Sequence, residues 1–521
     1  MLNNNIEKLN ILRHSIAHVL AAAILEIDKK AQFAIGPAID NGFYYDIKSE
    51  RIFSITDLEM IEIKMREIIN RNIPFEKSII PNSKAIDIFN ELNQPFKVEL
   101  IDAIPDNDVT IYKLGDFTDL CRGPHISNTS EISLNAFKLT SVAGAYWRGD
   151  SKNQMLQRIY GIAFFDKKDL DNYLELLKAA EARDHRKLGV ELEIFHIDEA
   201  APGSIFWLKN GTTLFELVKN YLVSVIKKHG YYLVQTPQLL NKSLWETSGH
   251  WKQFKDHMFI SNSAETTMAI KPMNCPGHII IYKMGAVKSY RDLPIRIAEF
   301  GLCHRNEPSG SLHGLMRVRA FTQDDGHIFC TAEQIVSEII NFYKTLQEVY
   351  ATFEFTDISI KFSNRPEKRA GSDEVWDIAE KSLIEATNAL GVSYAINKGE
   401  GAFYGPKLEF ILKDSIGREW QCGTLQIDFI LPTLFGIYYI DHCGKRQTPV
   451  LIHRALVGSL ERFIGILIEN YCGKFPFWLS PVQIAIATVT EESKEYAKKI
   501  DLLLQTAGFR TVLNLENEKI T

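Results

Sequence analysis

Residues 294–329, PIRIAEFGLCHRNEPSGSLHGLMRVRAFTQDDGHIF, decide how this chain folds. Apolar and polar side chains alternate over 295–302, and the same period of two returns over 315–321. This alternation predicts two antiparallel strands, and the Pro-Ser-Gly-Ser run at 308–311 predicts the turn between them. Arginines lie on both sides of the turn, and a guanidinium binds phosphate through two parallel hydrogen bonds. An aromatic side chain on the return strand can stack on a base.

By itself, this hairpin could be an ordinary charged hairpin on the surface. Two further segments favour a nucleotide site. PVLIHRALVGSLERF, at 449–463, is typical of a strand that runs into a helix with a glycine and an arginine near the junction. GYYLVQTP, at 230–237, follows an amphipathic helix predicted over 214–228.

Together these three segments resemble the signature motifs of class II aminoacyl-tRNA synthetases. Three other stretches narrow the resemblance to the bacterial threonyl-tRNA synthetase family: MNCPGH at 273–278, TQDDGHIF at 322–329 and EWQCGTLQIDF at 419–429. The resemblance covers nearly the whole chain. It implies an α+β fold, with the class II antiparallel sheet flanked by helices. It also implies an enzyme that activates L-threonine with ATP and transfers it to tRNA(Thr).

The composition limits the class of protein. A chain of 521 residues with 45% hydrophobic residues is long enough for about three or four globular domains. It has no run of about 18 apolar residues, and its amino terminus lacks the features of a signal or transit peptide. We therefore expect a cytoplasmic protein with no membrane partner. Seven cysteines without a CxxC pair argue against a disulfide framework. Because the net charge is −6, a tRNA partner would require local basic surface.

The resemblance and the local patterns divide the chain into four predicted parts. They are an α+β editing domain (1–166), a charged linker helix (167–183, with a helical pattern up to 187), a class II catalytic domain (184–476) and a partial α/β anticodon-binding domain (477–521). A strand, a helix and a strand are predicted over 481–515, and the chain ends just after 517–520. Against the family we expect an absent N-terminal ubiquitin-like domain and a truncated C-terminal domain. The segment at 230–237 resembles the family's dimer interface, which predicts a homodimer.

Adenylate formation needs the phosphates neutralised and the reactants positioned. The resemblance implies that Arg305 holds the α-phosphate and Arg462 the γ-phosphate. Glu307 would face the adenine amino group, and Phe321 would stack on the ring. Arg317 would be a further phosphate-facing residue, and Mg²⁺ is implied as the counter-ion of ATP.

Four more residues are assigned around the reacting groups by the resemblance. Lys407 would assist at the reacting carboxylate, and Gln323 and Gln421 would belong to the threonine pocket. His250 resembles the residue near the terminal ribose of tRNA, although a surface histidine explains it equally well.

A zinc site is implied by Cys275, His327 and His453, which match the family's ligands with one ion per subunit. Three ligands leave one tetrahedral position open for water or substrate. Without the resemblance, each would be interpreted as an ordinary core residue. Valine lacks the hydroxyl through which threonine can reach the metal, and Asp325 would accept a hydrogen bond from that hydroxyl. An apolar pocket alone would separate the two amino acids by only about 1–3 kcal/mol.

Serine also carries a hydroxyl, so a second, hydrolytic site is needed to remove it from tRNA. His14, His18, Cys121 and His125 resemble the family's editing site, with Asp119 assisting. The spacing alone favours a structural zinc site, since such His and Cys sets often bind metal. The resemblance favours editing, in which His14 or Cys121 orders a water molecule.

Two alternatives remain open at this point. One is another synthetase with the same motifs, such as a prolyl or seryl enzyme, which the set Cys275, His327 and His453 disfavours. The other is a non-catalytic or tRNA-binding paralogue, which the presence of both motif arginines disfavours.

Overall fold

The computed structural model describes residues 2–150, 152–263 and 265–516. Its chain divides into two compact units, Met1–Lys178 and Ala179–Thr521. Helix α5 (Lys167–Ala182, below) spans this division. Residues 517–521, with which the predicted C-terminal domain ends, lie outside the described residues.

Unit 1 combines a mixed set of helices and strands. Its helices are α1 (Leu2–Ile27), α2 (Leu58–Asn70), α3 (Asn82–Glu91) and α4 (Pro95–Asp102), followed by α5 (Lys167–Ala182). Its strands are β1 (Gln32–Phe33), β2 (Ala38–Ile39), β3 (Gly42–Lys48), β4 (Glu76–Pro81), β5 (Asp108–Leu114), β6 (Phe117–Leu120), β7 (Phe137–Tyr146) and β8 (Met155–Ala163). The order β1-β3-β8-β7 forms one sheet and β4-β5-β6 another.

Helix α1 is the core helix of unit 1. Leu12, Ile16 and Leu20 follow one another at intervals of four and are buried, as expected for the apolar face of a core helix. By length and composition, Asn5–Ile27 is also apolar enough to cross a membrane, but 67% of its apolar window is buried inside the protein. Core helices of this kind meet the same criterion.

Unit 2 is built on one large sheet with helices around it. Its helices are α6 (His185–Glu191), α7 (Lys209–Lys228), α8 (Lys242–Thr247), α9 (His250–Gln253), α10 (Cys275–Lys283), α11 (Ile335–Thr352), α12 (Asp373–Ala389), α13 (Leu431–Leu434), α14 (Leu460–Tyr471) and α15 (Lys494–Thr506). Its short strands are β9 (Phe195–His196), β10 (Phe206–Trp207), β11 (Tyr232–Leu233), β12 (Leu239–Asn241), β13 (Ile260–Asn262), β14 (Thr267–Ile270) and β15 (Lys288–Ser289). The remaining strands are β16 (Ile295–His304), β17 (Ala320–Cys330), β18 (Ile358–Ser363), β19 (Ala395–Asn397), β20 (Lys407–Lys413), β21 (Glu419–Asp428), β22 (Tyr439–Ile440), β23 (Arg446–Gln447), β24 (Val450–Ala455), β25 (Ile484–Ala487) and β26 (Thr511–Asn514).

The large sheet has eight strands in the order β11-β16-β17-β24-β21-β20-β18-β19. Every neighbouring pair from β16 to β18 along this order is antiparallel. Helices α7, α11, α12 and α14 contribute apolar side chains to the same core as these strands. The predicted fold class, α+β with an antiparallel sheet flanked by helices, is thus confirmed.

The return strand of the opening hairpin is shorter than its alternation predicts. Strand β17 begins at Ala320, and residues 305–319 form a loop with one 3-10 turn. The backbone N–H groups of Arg319 and Ala320 both donate to the carbonyl oxygen of Gly203. These two N–H groups therefore do not bond to a neighbouring strand of the sheet, and the prediction of a strand from residue 315 is wrong.

The helical pattern over 167–187 is also interrupted. Helix α5 ends at Ala182, and the side chain of Asp184 accepts a hydrogen bond from the Arg186 N–H to cap α6. A new helix therefore starts within the pattern. The predicted strand–helix–strand near the carboxyl end is confirmed as β25, α15 and β26, with β25 and β26 parallel.

Candidate active site

A cleft of about 280 Å³ lies at the junction of the hairpin and α14. Cys303 of β16 pairs with Phe321 of β17, which places the loop residues that follow β16 beside that aromatic ring. Arg462 lies in the first turn of α14, where the Ser459 side chain accepts its backbone N–H. Among the described residues, the Nε atom of Arg462 is buried without a hydrogen-bond partner. An oxygen of a ligand phosphate could accept a hydrogen bond from this N–H.

The residues predicted to bind ATP all line this cleft: Arg305, Glu307, Arg317, Phe321 and Arg462. The Arg305 guanidinium lies over the Phe321 ring, 5.1 Å from its centroid. Arg317 and Glu307 form an ion pair of 2.8 Å at the cleft edge, so these two groups bind each other here. The cleft thus offers several cations and one aromatic surface.

A second cavity, of about 110 Å³, adjoins the first, because Arg305, Gln323 and Thr424 line both. Its other walls include Asp325 and Tyr404 together with the three predicted zinc ligands Cys275, His327 and His453. Gln323 and Gln421, predicted for the threonine pocket, line the larger cleft. The described part of the chain also leaves the Gln323 Oε1 atom buried without a partner.

The three predicted zinc ligands come together from distant parts of the chain. Cys275 is the first residue of α10, and His327 and His453 are direct partners across β17 and β24. Their ligand atoms all lie within 4.8 Å of one another. The His327 Nε2 and His453 Nδ1 atoms are 2.9 Å apart, while His453 Nε2 lies 3.0 Å from an Asp428 oxygen. One sulfur and two nitrogens suit zinc.

Burial favours the neutral forms of Cys275 and His327. It raises the pKa of the Cys275 thiol well above its usual range and lowers the pKa of His327 well below its usual range. A bound divalent cation offsets the free-energy cost of burying a thiolate, because a thiol that coordinates a metal is deprotonated. The donor set therefore fits a zinc ion.

A buried hydrogen-bonded chain extends behind His327. Its Nδ1 lies 2.8 Å from the Nδ1 of His278, and His278 Nε2 lies 3.1 Å from an oxygen of Glu299. Lys271 donates to the other Glu299 oxygen at 2.8 Å. Sequence reasoning did not assign these three residues a role, although His278 belongs to the quoted MNCPGH stretch. Such partners orient metal-binding imidazoles.

Asp325 is held by a neighbour that the sequence did not single out. Asn274 donates from Nδ2 to an Asp325 oxygen at 3.0 Å. The space for the Asn274 amide exists because residue 301 is a glycine, whose added Cβ would lie 2.3 Å from Asn274 Oδ1. Burial raises the pKa of Asp325, and the Asn274 amide opposes this effect.

Two predicted residues lie in different surroundings. The Lys407 ammonium lies 2.5 Å from a Glu409 oxygen, and its role stays a prediction. His250 is fully buried, so the alternative of a surface histidine is wrong. Its Nδ1 contacts the Ser248 hydroxyl and its Nε2 lies 3.3 Å from the sulfur of Met273, which lines the smaller cavity. Burial lowers the pKa of His250 to about 4, so the ring is neutral at pH 7.

The five residues predicted for editing cluster in unit 1. The Cys121 sulfur lies 3.4 Å from His14 Nε2 and 3.2 Å from His125 Nε2. His18 Nε2 lies 3.3 Å from an oxygen of Asp119. The four His and Cys ligand atoms are within 4.8 Å of one another, so the arrangement is also compatible with a metal ion.

Asp119 has two partners that sequence reasoning missed. Buried Lys97 forms an ion pair with it at 2.5 Å, and the Tyr45 hydroxyl donates to it. In the sequence both look like ordinary residues of a helix and a strand. Burial, followed by the charge of Asp119, raises the pKa of Cys121 to about 11, so its thiol is neutral. A cleft of about 560 Å³ opens beside the cluster, lined by His14, Glu7 and Asn10 together with apolar side chains.

Comparisons with known proteins identify a family domain in each of the two units. Residues 257–471 match the family tRNA synthetase class II core domain (G, H, P, S and T). Residues 109–160 match the threonyl and alanyl tRNA synthetase second additional domain. A solved structure, the RNA binding domain of threonyl-tRNA synthetase from Cryptosporidium parvum Iowa II, has a TM-score of 0.62 and 41% identity, covering 65% of this chain and 84% of that chain.

Two curated relatives carry the same name. A threonine–tRNA ligase of Rhodospirillum rubrum is 54% identical over 513 residues, covering 98% of this chain and 80% of that protein. A threonine–tRNA ligase of Wolbachia pipientis subsp. Culex pipiens is 54% identical over 515 residues, covering 98% of this chain and 81% of that protein. At this identity and coverage, the resemblance seen in the sequence is confirmed, and the chain belongs to the threonine–tRNA ligase family of class II aminoacyl-tRNA synthetases.

Proposed function

We propose that this protein is an active threonine–tRNA ligase that forms threonyl-adenylate from L-threonine and ATP and transfers threonine to tRNA(Thr). The observation that carries the proposal is the shared wall of two cavities. The arginine-lined cleft adjoins a smaller cavity bordered by Cys275, His327, His453 and Asp325. A nucleotide and a small polar amino acid can therefore lie side by side.

The arginines of the cleft supply the charge that adenylate formation requires. Arg305 and Arg462 would bind the phosphates, and their positive charge would stabilise the negative charge that builds up as the threonine carboxylate attacks the α-phosphate. Phe321 would stack on the adenine. The Glu307–Arg317 pair would open so that Glu307 faces the adenine amino group, and Mg²⁺ would accompany ATP.

Selection of threonine would take place in the smaller cavity. Cys275, His327 and His453 would hold zinc, which when bound supplies a position that favours a substrate with both an amino group and a neighbouring hydroxyl. Asp325, oriented by Asn274, would accept the hydrogen bond of that hydroxyl. A site built for a hydroxyl rejects an analogue without one far better than an apolar pocket does.

The cluster in unit 1 would hydrolyse seryl-tRNA(Thr). We favour editing over a structural metal because the cleft opens at His14. In addition, Asp119, which forms an ion pair with Lys97, also contacts His18 Nε2. This nitrogen therefore already has a partner other than a metal ion. His14, on the cleft wall, would order the attacking water. We further propose that the enzyme works as a homodimer in the cytoplasm.

ATP–pyrophosphate exchange tests the synthetic function. Wild-type protein should exchange pyrophosphate with threonine, weakly with serine, and not with valine or proline. Cys275→Ala should lose both zinc and threonine-dependent exchange, because a coordination site with two remaining ligands binds the ion weakly. Cys443→Ala, which removes an exposed cysteine, is the matched control. Unchanged exchange in Cys275→Ala, or exchange with proline in the wild type, would overturn the proposal.

The editing function is tested separately. His14→Ala combined with Cys121→Ala should let seryl-tRNA(Thr) accumulate while threonine-dependent exchange stays at its wild-type rate. If mischarged tRNA is still hydrolysed as fast as by the wild type, the cluster is not the editing site. The zinc content per chain, measured in the same samples, tests the structural-metal alternative. That alternative predicts a second zinc ion in the wild type that is lost with the two side chains.

A further inference from the structure

The cluster Asp184, His185 and Glu469 lies outside the site described above. Its ligand atoms are close enough together to suggest a metal ion. His185 is fully buried and contacts Glu469 through Nδ1 at 2.6 Å. Its Nε2 accepts the backbone N–H of Leu315 at 3.0 Å. Because that N–H is a fixed donor, Nε2 offers the lone pair and Nδ1 carries the proton. Neither nitrogen is left to bind a cation.

The contacts of His185 connect the hairpin loop to helix α14. Leu315 lies in the hairpin loop, immediately before Met316 and Arg317, which line the nucleotide cleft. Glu469 belongs to α14, two turns after Arg462 and on the same face of the helix. One imidazole therefore links the loop of Arg317 to the helix of Arg462.

A second contact supports the same link. A Cβ added to Gly465 of α14 would lie 3.1 Å from Leu315 and 3.3 Å from Met316, so the loop packs closely on the helix at this glycine. On the loop side, Gly314 has a φ of +50°, and its added Cβ would lie 2.1 Å from His185 Nε2. The loop thus approaches the imidazole at a position where a side chain would not fit, and it approaches the helix at a position where an added Cβ would force the loop side chains to shift by a few tenths of an ångström.

We propose that His185 is a positioning residue for ATP: it fixes the hairpin loop against α14, so that Arg317 and Arg462 face the same nucleotide. The inference deepens the proposed function and rests on it. His185 acts through the Leu315 backbone and Glu469, and its ring also contacts His313 of the same loop, with the ring centroids 5.6 Å apart. Its loss therefore weakens ATP binding and leaves unchanged the threonine cavity, most of whose lining residues lie on β17, β21 and β24.

Two variants, each with an amide in place of one ring nitrogen, separate the two hydrogen bonds of the His185 ring. In His185→Asn, the amide takes the place of Nδ1 and still donates to Glu469, but the Leu315 N–H loses its acceptor. In His185→Gln, the amide oxygen takes the place of Nε2 and accepts from Leu315. We expect the KM for ATP to rise about tenfold in the Asn variant and by less in the Gln variant, with the KM for threonine within about twofold of wild type.

A third variant acts from the loop. Gly314→Ala places a methyl group against the ring without altering α6, and it should raise the KM for ATP in the same selective way. His229→Asn is the matched control, because His229 also pairs with a glutamate, Glu348, at 2.9 Å on another part of unit 2. Melting curves of all four variants report their folding.

Threonine-dependent exchange by the wild type tests the proposed function, whereas the ratio of variant to wild-type affinity for a non-hydrolysable ATP analogue, measured by calorimetry, tests the inference. Wild-type ATP affinity in His185→Asn or, if that variant does not fold, in Gly314→Ala would overturn it. So would equal rises in the KM values for ATP and threonine, or a failure of His185→Gln to retain more ATP affinity than His185→Asn.

Discussion

Glu461 gives the catalytic unit a stability that depends on pH. It is buried at the start of α14, and its two oxygens accept the backbone N–H of Thr322 at 3.0 and 2.8 Å. Burial raises the pKa of its carboxyl from 4.5 to about 7. The backbone N–H of Glu461 itself and the N–H and hydroxyl of Thr322 oppose this rise, but these donors do not replace the water that the carboxylate loses.

The size of the effect follows from that change. A difference of about 2.5 pKa units corresponds to roughly 3 kcal/mol. Below about pH 4.5 the carboxyl is protonated in the folded and unfolded chains, and no penalty exists. As the pH rises from 4.5 to about 7, the unfolded chain releases its proton while the folded chain keeps it. The free energy of unfolding falls through this window, and the full penalty is present above it.

Glu461→Gln removes the titration and keeps one oxygen that accepts the Thr322 N–H. We expect the variant to gain about 1–3 kcal/mol over wild type near pH 8 and to lose that advantage near pH 4.5. Urea unfolding followed by tryptophan fluorescence across this range measures the difference. Glu495→Gln, at an exposed position of α15, is the control and should follow the wild-type profile. A stability difference between Glu461→Gln and wild type that is the same at both pH values would refute the reasoning.

Three further changes have measurable outcomes. Glu299→Gln removes the charge that His278 contacts and should weaken zinc binding about 10–100-fold in a chelator competition, whereas unaltered affinity would show that the buried chain has no influence on the metal. Asn274→Ala leaves Asp325 without its amide donor and should raise the KM for threonine about tenfold at constant KM for ATP; a parallel rise in both would contradict this. Lys97→Met should slow the hydrolysis of seryl-tRNA(Thr) without changing amino-acid activation, and rapid hydrolysis by this variant would exclude a role for the buried ammonium.

The local parts of the active site could be predicted from the sequence, because strand alternation and the strand-to-helix junction are short-range patterns. The positions of Arg305 and Phe321 on the hairpin and of Arg462 on α14 follow from such patterns. The same alternation misled at residues 315–319, where the backbone N–H groups of Met316 and Arg317 donate to His313 and that of Arg319 donates to Gly203, rather than to a neighbouring strand. An alternating pattern indicates a two-sided environment, and a packed loop can provide one as well.

Contacts between distant segments could not be predicted from the residues alone. Spacing gives no reason for Cys275 to meet His453, and only the family resemblance brought them together. Lys271, Glu299 and Lys97 look like ordinary surface charges, since lysine and glutamate are seldom buried unless paired. Their partners are known only once the strands are in register.

Because His327 and His453 are direct partners across β17 and β24, the proposed zinc site depends on the correct register of these two strands. Side chains along a strand alternate between the two faces of a sheet, so a slip of one residue would turn one imidazole to the opposite face. A chain with this error would bind the proposed zinc ion poorly even if its secondary structure looked normal. The zinc content of a preparation would therefore count the fraction of molecules whose central strands are properly aligned, which circular dichroism cannot do.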